Sequence, residues 1–108
     1  MSERFNAALA RLAATIEARR GGDVSTSYTA QLLADPARAA KKLGEEAVEA
    51  VIAAVQADAD ALASESADLI YHWMVLLASR EVDLDAVAAK LEAREGRSGI
   101  EEKASRGR

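Results

Sequence analysis

Apolar residues recur at spacings of three and four along almost the whole chain, and strict alternation of the kind that marks a strand is absent. Phe5, Leu9, Leu12 and Ile16 share one face, which predicts a first amphipathic helix from about Glu3 to Arg19. Gly21-Gly22-Asp23 ends it. The polar loop Ser25-Thr26-Ser27 offers a cap for a short helix carrying Tyr28, Leu32 and Leu33. Asp35-Pro36 reads as the N-cap and first residue of a long helix running to about Ala57. Its inner stripe is expected to hold Leu43, Ala47, Ala50, Val51 and Ala54. Asp58 to Asp60 breaks the pattern, and a fourth helix to about Ser79 presents Leu62, Leu69, Trp73, Leu76 and Leu77. Asp83 caps a last helix, with Val87 and Leu91 facing inward, that ends near Gly96. The expected architecture is one all-α domain over residues 1–96, a bundle of four or five helices with short connections. Residues 97–108 are polar and aperiodic, a tail that is either disordered or ordered by substrate.

Composition narrows the picture. The chain has 108 residues, half of them hydrophobic and only 4% aromatic, so one core forms but it is thin. A second subunit would bury apolar surface that a single thin bundle leaves bare, so a dimer is a reasonable expectation. Without cysteine there are no disulfides, thiolate nucleophiles or thiolate metal sites. Met1 to Phe5 lead into no apolar run of the signal-peptide kind, and no stretch is long enough to span a bilayer. The simplest location is the cytosol, with no membrane partner. The net charge of −4 lacks the basic excess of a nucleic-acid binder.

The chemistry lies in two pairs of acids. Glu46 and Glu49 stand three residues apart on the long helix, and Glu65 and Asp68 three apart on the next. Acids at that spacing share one helix face. Helices joined by a short break run antiparallel as neighbours, so the two pairs are placed to face each other. Four carboxylates on rigid elements suit magnesium, with manganese as an alternative. Acids three apart also arise by chance on solvated helix faces. Against that reading, Glu65 and Asp68 sit among Leu62, Leu69 and Ile70, where stray acids are costly. Like charges one turn apart cost roughly 0.2–0.5 kcal/mol per pair, a sign that a bound cation reverses.

The neighbours divide between plain and functional readings. Glu45 is offset by about 100° from Glu46 and is open to a second metal, a water or Lys41 one turn back. Lys41 and Lys42 read as solvated partners of Glu45 and Glu46, or as ligands of phosphate oxygens. Gly44, inside the long helix, reads first as a close packing contact and second as backbone approaching a phosphate. His72, one turn past Asp68, reads first as a hydrogen-bonded structural residue and second as a partner steadying Asp68. Tyr71 and Trp73 read as packing residues.

Glu45-Glu46-x-x-Glu49 followed by Glu65-x-x-Asp68 resembles the motif of the all-α nucleotide pyrophosphatases of the MazG type. Within that superfamily the likeness is closest to the phosphoribosyl-ATP pyrophosphatases of histidine biosynthesis. Ser27-Tyr28-Thr29-Ala30, Lys41-Lys42-Leu43-Gly44-Glu45-Glu46-Ala47-x-Glu49, Ala67-Asp68-Leu69-Ile70-Tyr71-His72 and the tail from Ser98 to Arg106 carry it over nearly the whole chain. The resemblance implies a MazG-like bundle, a homodimer, and cleavage of phosphoribosyl-ATP between its α and β phosphorus atoms. It implies magnesium held by Glu46, Glu49, Glu65 and Asp68, with the attacking water either metal-bound or oriented by Glu45 or another free carboxylate. On that basis Lys41 or Lys42 is expected to steady the phosphates, and Lys103 and Arg106 either to close over the substrate or to contact its extra ribose phosphate. Two rival readings stay open: a house-cleaning pyrophosphatase of non-standard nucleoside triphosphates, and a non-enzymatic helical module whose acids are only solvated.

Overall fold

The computed structural model describes residues 2–96 together with Gly99, Ile100 and Lys103. Among the described residues, five helices follow one another up to Glu92: α1 (Glu3–Ala18), α2 (Tyr28–Leu33), α3 (Pro36–Val55), α4 (Ala59–Ser79) and α5 (Leu84–Glu92), and none of these residues is in a strand. Four helices start where a side chain satisfies an orphan amide. Ser2, Ser27, Asp35 and Asp58 accept from the backbone N–H groups of Phe5, Ala30, Arg38 and Ala61. Asp83 occupies the N-cap position of α5 but makes no side-chain cap bond.

Two helices end alike. At the end of α3, Asp58 N–H bonds Ala53 carbonyl and Ala57 N–H bonds Ala54 carbonyl. At the end of α4, Val82 and Glu81 repeat this pattern on Leu77 and Ala78. These are Schellman caps, which need a left-handed residue at the turn. Ala57 (φ 56°) and Glu81 (φ 57°) supply it, although neither is glycine. The first of these turns folds α4 back along α3 as an antiparallel hairpin.

Ile16, Leu32, Ala39, Met74 and Val75 form the buried core, one or two residues from each of α1 to α4. Helix α4 is the central element, packed against α1, α2 and α3. That explains why Met74 and Val75, outside the face expected from the pattern, are buried, while Leu62, Leu69, Trp73, Leu76 and Leu77 are half-buried. A helix packed against three others buries residues on more than one face, so no single stripe in the pattern marks them all.

On α3 the observed inner stripe is Ala39, Leu43, Glu46, Ala50 and Ala53. Given about 100° per residue, these five fall within about 80° of one another. Leu43, Ala47 and Ala50 are inside or at its edge, but Val51 is 61% exposed and Ala54 is exposed as well. The expected stripe was rotated because a charged residue, Glu46, occupies the middle of the true one. Helix α5 lies at the margin: Val87 is half-buried, whereas Leu91 is exposed rather than inward. Gly44 is exposed, and a Cβ there would meet nothing within 4 Å, so it makes no close packing contact. The tail proposed for residues 97–108 lies almost wholly outside the described residues.

Candidate metal and phosphate site

The α3–α4 hairpin brings the two acid-bearing stretches together. Glu46, Glu49 and Glu65 each place one carboxylate oxygen within 4.8 Å of the others. Trans ligands of one magnesium lie about 4.2 Å apart at a bond length of roughly 2.1 Å, so the cluster is close to the size of such a site. Glu46 is only 8% exposed, and its Oε2, like the Oε2 of Glu65, is buried without a hydrogen-bond partner. A buried carboxylate oxygen left unpaired is costly unless a proton or a cation meets it.

The electrostatics say the same. Burial pushes the Glu46 carboxyl above the usual carboxylate range, and hydrogen bonding to Glu49 and the charges of Glu49 and Asp68 push the same way. His72 acts on Glu46 in the opposite direction. Glu65 is raised first by its hydrogen bond to Glu49, then by burial and by the charges of Glu49, Asp68 and Glu46. Glu46 and Glu65 therefore hold protons more tightly than free carboxyls do, until something positive replaces them. A hard divalent cation with oxygen preference fits that donor set.

Of the four expected ligands, Glu46, Glu49 and Glu65 converge. Asp68 is exposed and outside that triplet, yet near enough for its charge to raise the pKa of both Glu46 and Glu65. Glu45 is exposed and pairs with Lys42, whose Nζ lies 3.8 Å from it. The expected partnerships of Lys41 with Glu45 and Lys42 with Glu46 are therefore replaced, because Glu46 turns inward. Lys41 and Lys103 are exposed, and Arg106 lies outside the described residues.

His72 is buried, and both its ring nitrogens are engaged. Its Nδ1–H donates to the Asp68 carbonyl at 2.8 Å, which leaves Nε2 to accept from the Tyr28 hydroxyl at 3.1 Å. The contact is to the backbone of Asp68 and not to its carboxylate. Tyr71 stacks beside Tyr28 (6.4 Å between centroids) and hydrogen-bonds Thr29. Tyr71 and Trp73 both pack on the core, as expected of them. The guanidinium of Arg38 lies 5.6 Å from the Tyr28 ring centroid, a cation–π arrangement that the sequence reading missed. Arg38 stands two turns before Glu46 and one before Lys42, so extending the helical wheel backwards would have found it.

A hollow of about 700 Å³ lies between α1 and the C-terminal part of α4, lined by Ile16, Arg20, Met74 and Leu77 among others. None of the clustered carboxylates lines it. Arg20 there is already engaged by Glu17 and the Ala78 carbonyl.

A family model described as phosphoribosyl-ATP pyrophosphohydrolase matches residues 9–95. The chain is 73% identical to a phosphoribosyl-ATP pyrophosphatase of Caulobacter vibrioides (strain NA1000 / CB15N), covering 98% of this chain and 99% of that one. It is 70% identical to the protein of that name from Caulobacter sp. (strain K31), covering 98% of each chain. It is 62% identical to the one from Cereibacter sphaeroides (strain KD131 / KCTC 12085), covering 92% of this chain and 97% of the relative.

Proposed function

The chain belongs to the phosphoribosyl-ATP pyrophosphohydrolase family, and on that premise we propose that it hydrolyses phosphoribosyl-ATP to phosphoribosyl-AMP and pyrophosphate in histidine biosynthesis. The observation that carries the site assignment is the convergence of Glu46, Glu49 and Glu65 with two buried oxygens unpaired. Glu46, Glu49, Glu65 and Asp68 hold magnesium. When bound, that ion supplies a Lewis acid against the phosphate oxygens and neutralises charge developing on the pyrophosphate leaving group.

Glu45, exposed beside Glu46, orients the water that attacks the α phosphorus and takes its proton. Lys41 and Lys42 steady the phosphates, and Lys42 is released from Glu45 as they arrive. Lys103 and Arg106 bind the substrate's phosphates. The active assembly is a homodimer. Val48, Val51, Ile52 and Val55 support that part of the reading: they repeat at helical spacing on the outer face of α3, and Val55 is 81% exposed. No described helix is long and apolar enough to cross a membrane.

Turnover on phosphoribosyl-ATP against a panel of non-standard deoxynucleoside triphosphates tests the substrate. The biosynthetic reading expects phosphoribosyl-ATP to be preferred by orders of magnitude. Preference for the panel would make the chain a house-cleaning enzyme and leave the metal chemistry standing.

A further inference from the structure

The proposed reaction, on which this inference rests, distinguishes its substrate from ATP by one part, the phosphoribosyl group, and selectivity needs a partner for it. Arg38, Lys42 and Glu49 fall within about 40° of one another around α3, just beside its buried stripe, where Arg38 meets Tyr28 of α2 and Glu49 approaches Glu65 of α4. At 1.5 Å per residue, Arg38 lies about 12 Å along the axis from Glu46 and about 17 Å from Glu49. The two charged ends of the substrate are held apart by a purine and two pentose rings, a span of that order.

Arg38 is held in place before any ligand arrives. Its guanidinium rests over the Tyr28 ring at 5.6 Å, and its Nη1 donates to Gln31 Oε1 at 3.1 Å. Tyr28 is fixed in turn by its bond to His72, and His72 by its bond to the Asp68 carbonyl. A chain of contacts therefore ties this cation to the backbone of a proposed metal ligand. Rotamer freedom that an arginine ordinarily loses on binding an anion is already restricted. One of the five guanidinium N–H groups goes to Gln31, and the residue is exposed, so donors remain for an incoming phosphate. Lys42 stands between Arg38 and the carboxylates, where the substrate's path would lie.

We infer that Arg38, seated on Tyr28, binds the phosphate of the phosphoribosyl group. The substrate then lies along α3, its triphosphate at the carboxylates and its second phosphate at the N-terminal end of the helix. Arg38 is thus the residue that separates phosphoribosyl-ATP from ATP.

Steady-state kinetics with magnesium and phosphoribosyl-ATP on the wild type, Arg38→Gln and Arg38→Lys test this, with inhibition by phosphoribosyl-AMP and AMP measured alongside. Arg38→Gln is expected to raise KM about tenfold or more, the scale of one charged hydrogen bond, with kcat within about twofold. Arg38→Lys keeps the charge without the planar fork and falls between. Wild type binds phosphoribosyl-AMP more tightly than AMP, and Arg38→Gln loses that preference while its melting temperature stays near that of the wild type. An Arg38→Gln enzyme with unchanged KM and unchanged preference, or one losing kcat alone, overturns the inference. A wild type that turns over no phosphoribosyl-ATP instead overturns the reaction from which the inference starts.

Discussion

One carboxylate oxygen of Glu46 on α3 lies within 4.8 Å of one from Glu65 on α4, and each residue also buries an oxygen that no hydrogen bond satisfies. Glu49 joins them, and it is a cause of the raised pKa of both. Removing its charge therefore acts in opposite directions on stability and on function. Glu49→Gln is expected to melt higher than the wild type in EDTA, because like-charge repulsion is relieved. Magnesium then raises its melting temperature less than it raises that of the wild type. Activity falls at least about 100-fold, since losing even an outer partner of a metal ligand costs 10–100-fold. Thermal melts with and without magnesium, beside a turnover assay, check all three.

The same cluster sets a pH dependence. Glu46 and Glu65 titrate above the usual carboxylate range in the folded chain. Between the ordinary value and the raised one, the folded state binds more protons than the unfolded state, so stability falls as pH rises. This contribution is fully present below the ordinary carboxylate pKa and gone once pH passes the raised value. Magnesium competes with those protons, so its stabilising effect grows over the same window. Melts in EDTA and in magnesium, from about pH 4 to about pH 8, should diverge as pH rises. Parallel curves would remove the carboxylates from metal binding.

The turn between the two acid-bearing helices is improvable. Ala57 adopts φ 56° in a Schellman cap, a conformation that costs an alanine and not a glycine. Ala57→Gly is expected to stabilise the chain by about 0.5–1 kcal/mol, net of the entropy glycine adds to the unfolded state. That corresponds to a rise of about 2–6 °C in melting temperature for a domain of this size.

Tyr28→Phe removes the hydroxyl that satisfies Nε2 of the buried His72. Leaving a buried acceptor unpaired costs about 1–3 kcal/mol. Denaturant unfolding measures it, and a midpoint equal to that of the wild type would mean the bond contributes nothing in solution.

Val51 is 61% exposed on the apolar outer face of α3. Val51→Lys is expected to shift the chain from dimer to monomer in sedimentation, with the monomer's helical content intact by circular dichroism. A wild type that already sediments as a monomer contradicts the homodimer.

The parts of this structure legible in the chain are those decided within one turn. Ser27 and Asp35 cap the helices they precede, as the sequence suggests, because the bond they make reaches only three residues on, whereas Asp83, read the same way, makes no side-chain cap bond. The acid spacing on α3 and α4 was legible for the same reason, since helix geometry alone puts Glu46 beside Glu49. What the pattern misjudged were the positions that tertiary packing decides. The phase of α3 was read from Leu43, Ala47, Ala50, Val51 and Ala54, yet the interior takes Glu46, a residue that no hydrophobic count would send there. Leu91 is exposed because α5 finds little to pack against. The seat of Arg38 on Tyr28 depends on how α2 lies across α3, which no local spacing encodes.

The most direct test of the central claim is pyrophosphate release from phosphoribosyl-ATP by the wild type and by Glu46→Gln, each with magnesium and with EDTA. The account predicts rapid release by the wild type in magnesium, none in EDTA, and loss of at least about 100-fold in the folded variant. Release that survives EDTA, or a Glu46→Gln enzyme as fast as the wild type, would contradict a metal held by the buried carboxylates.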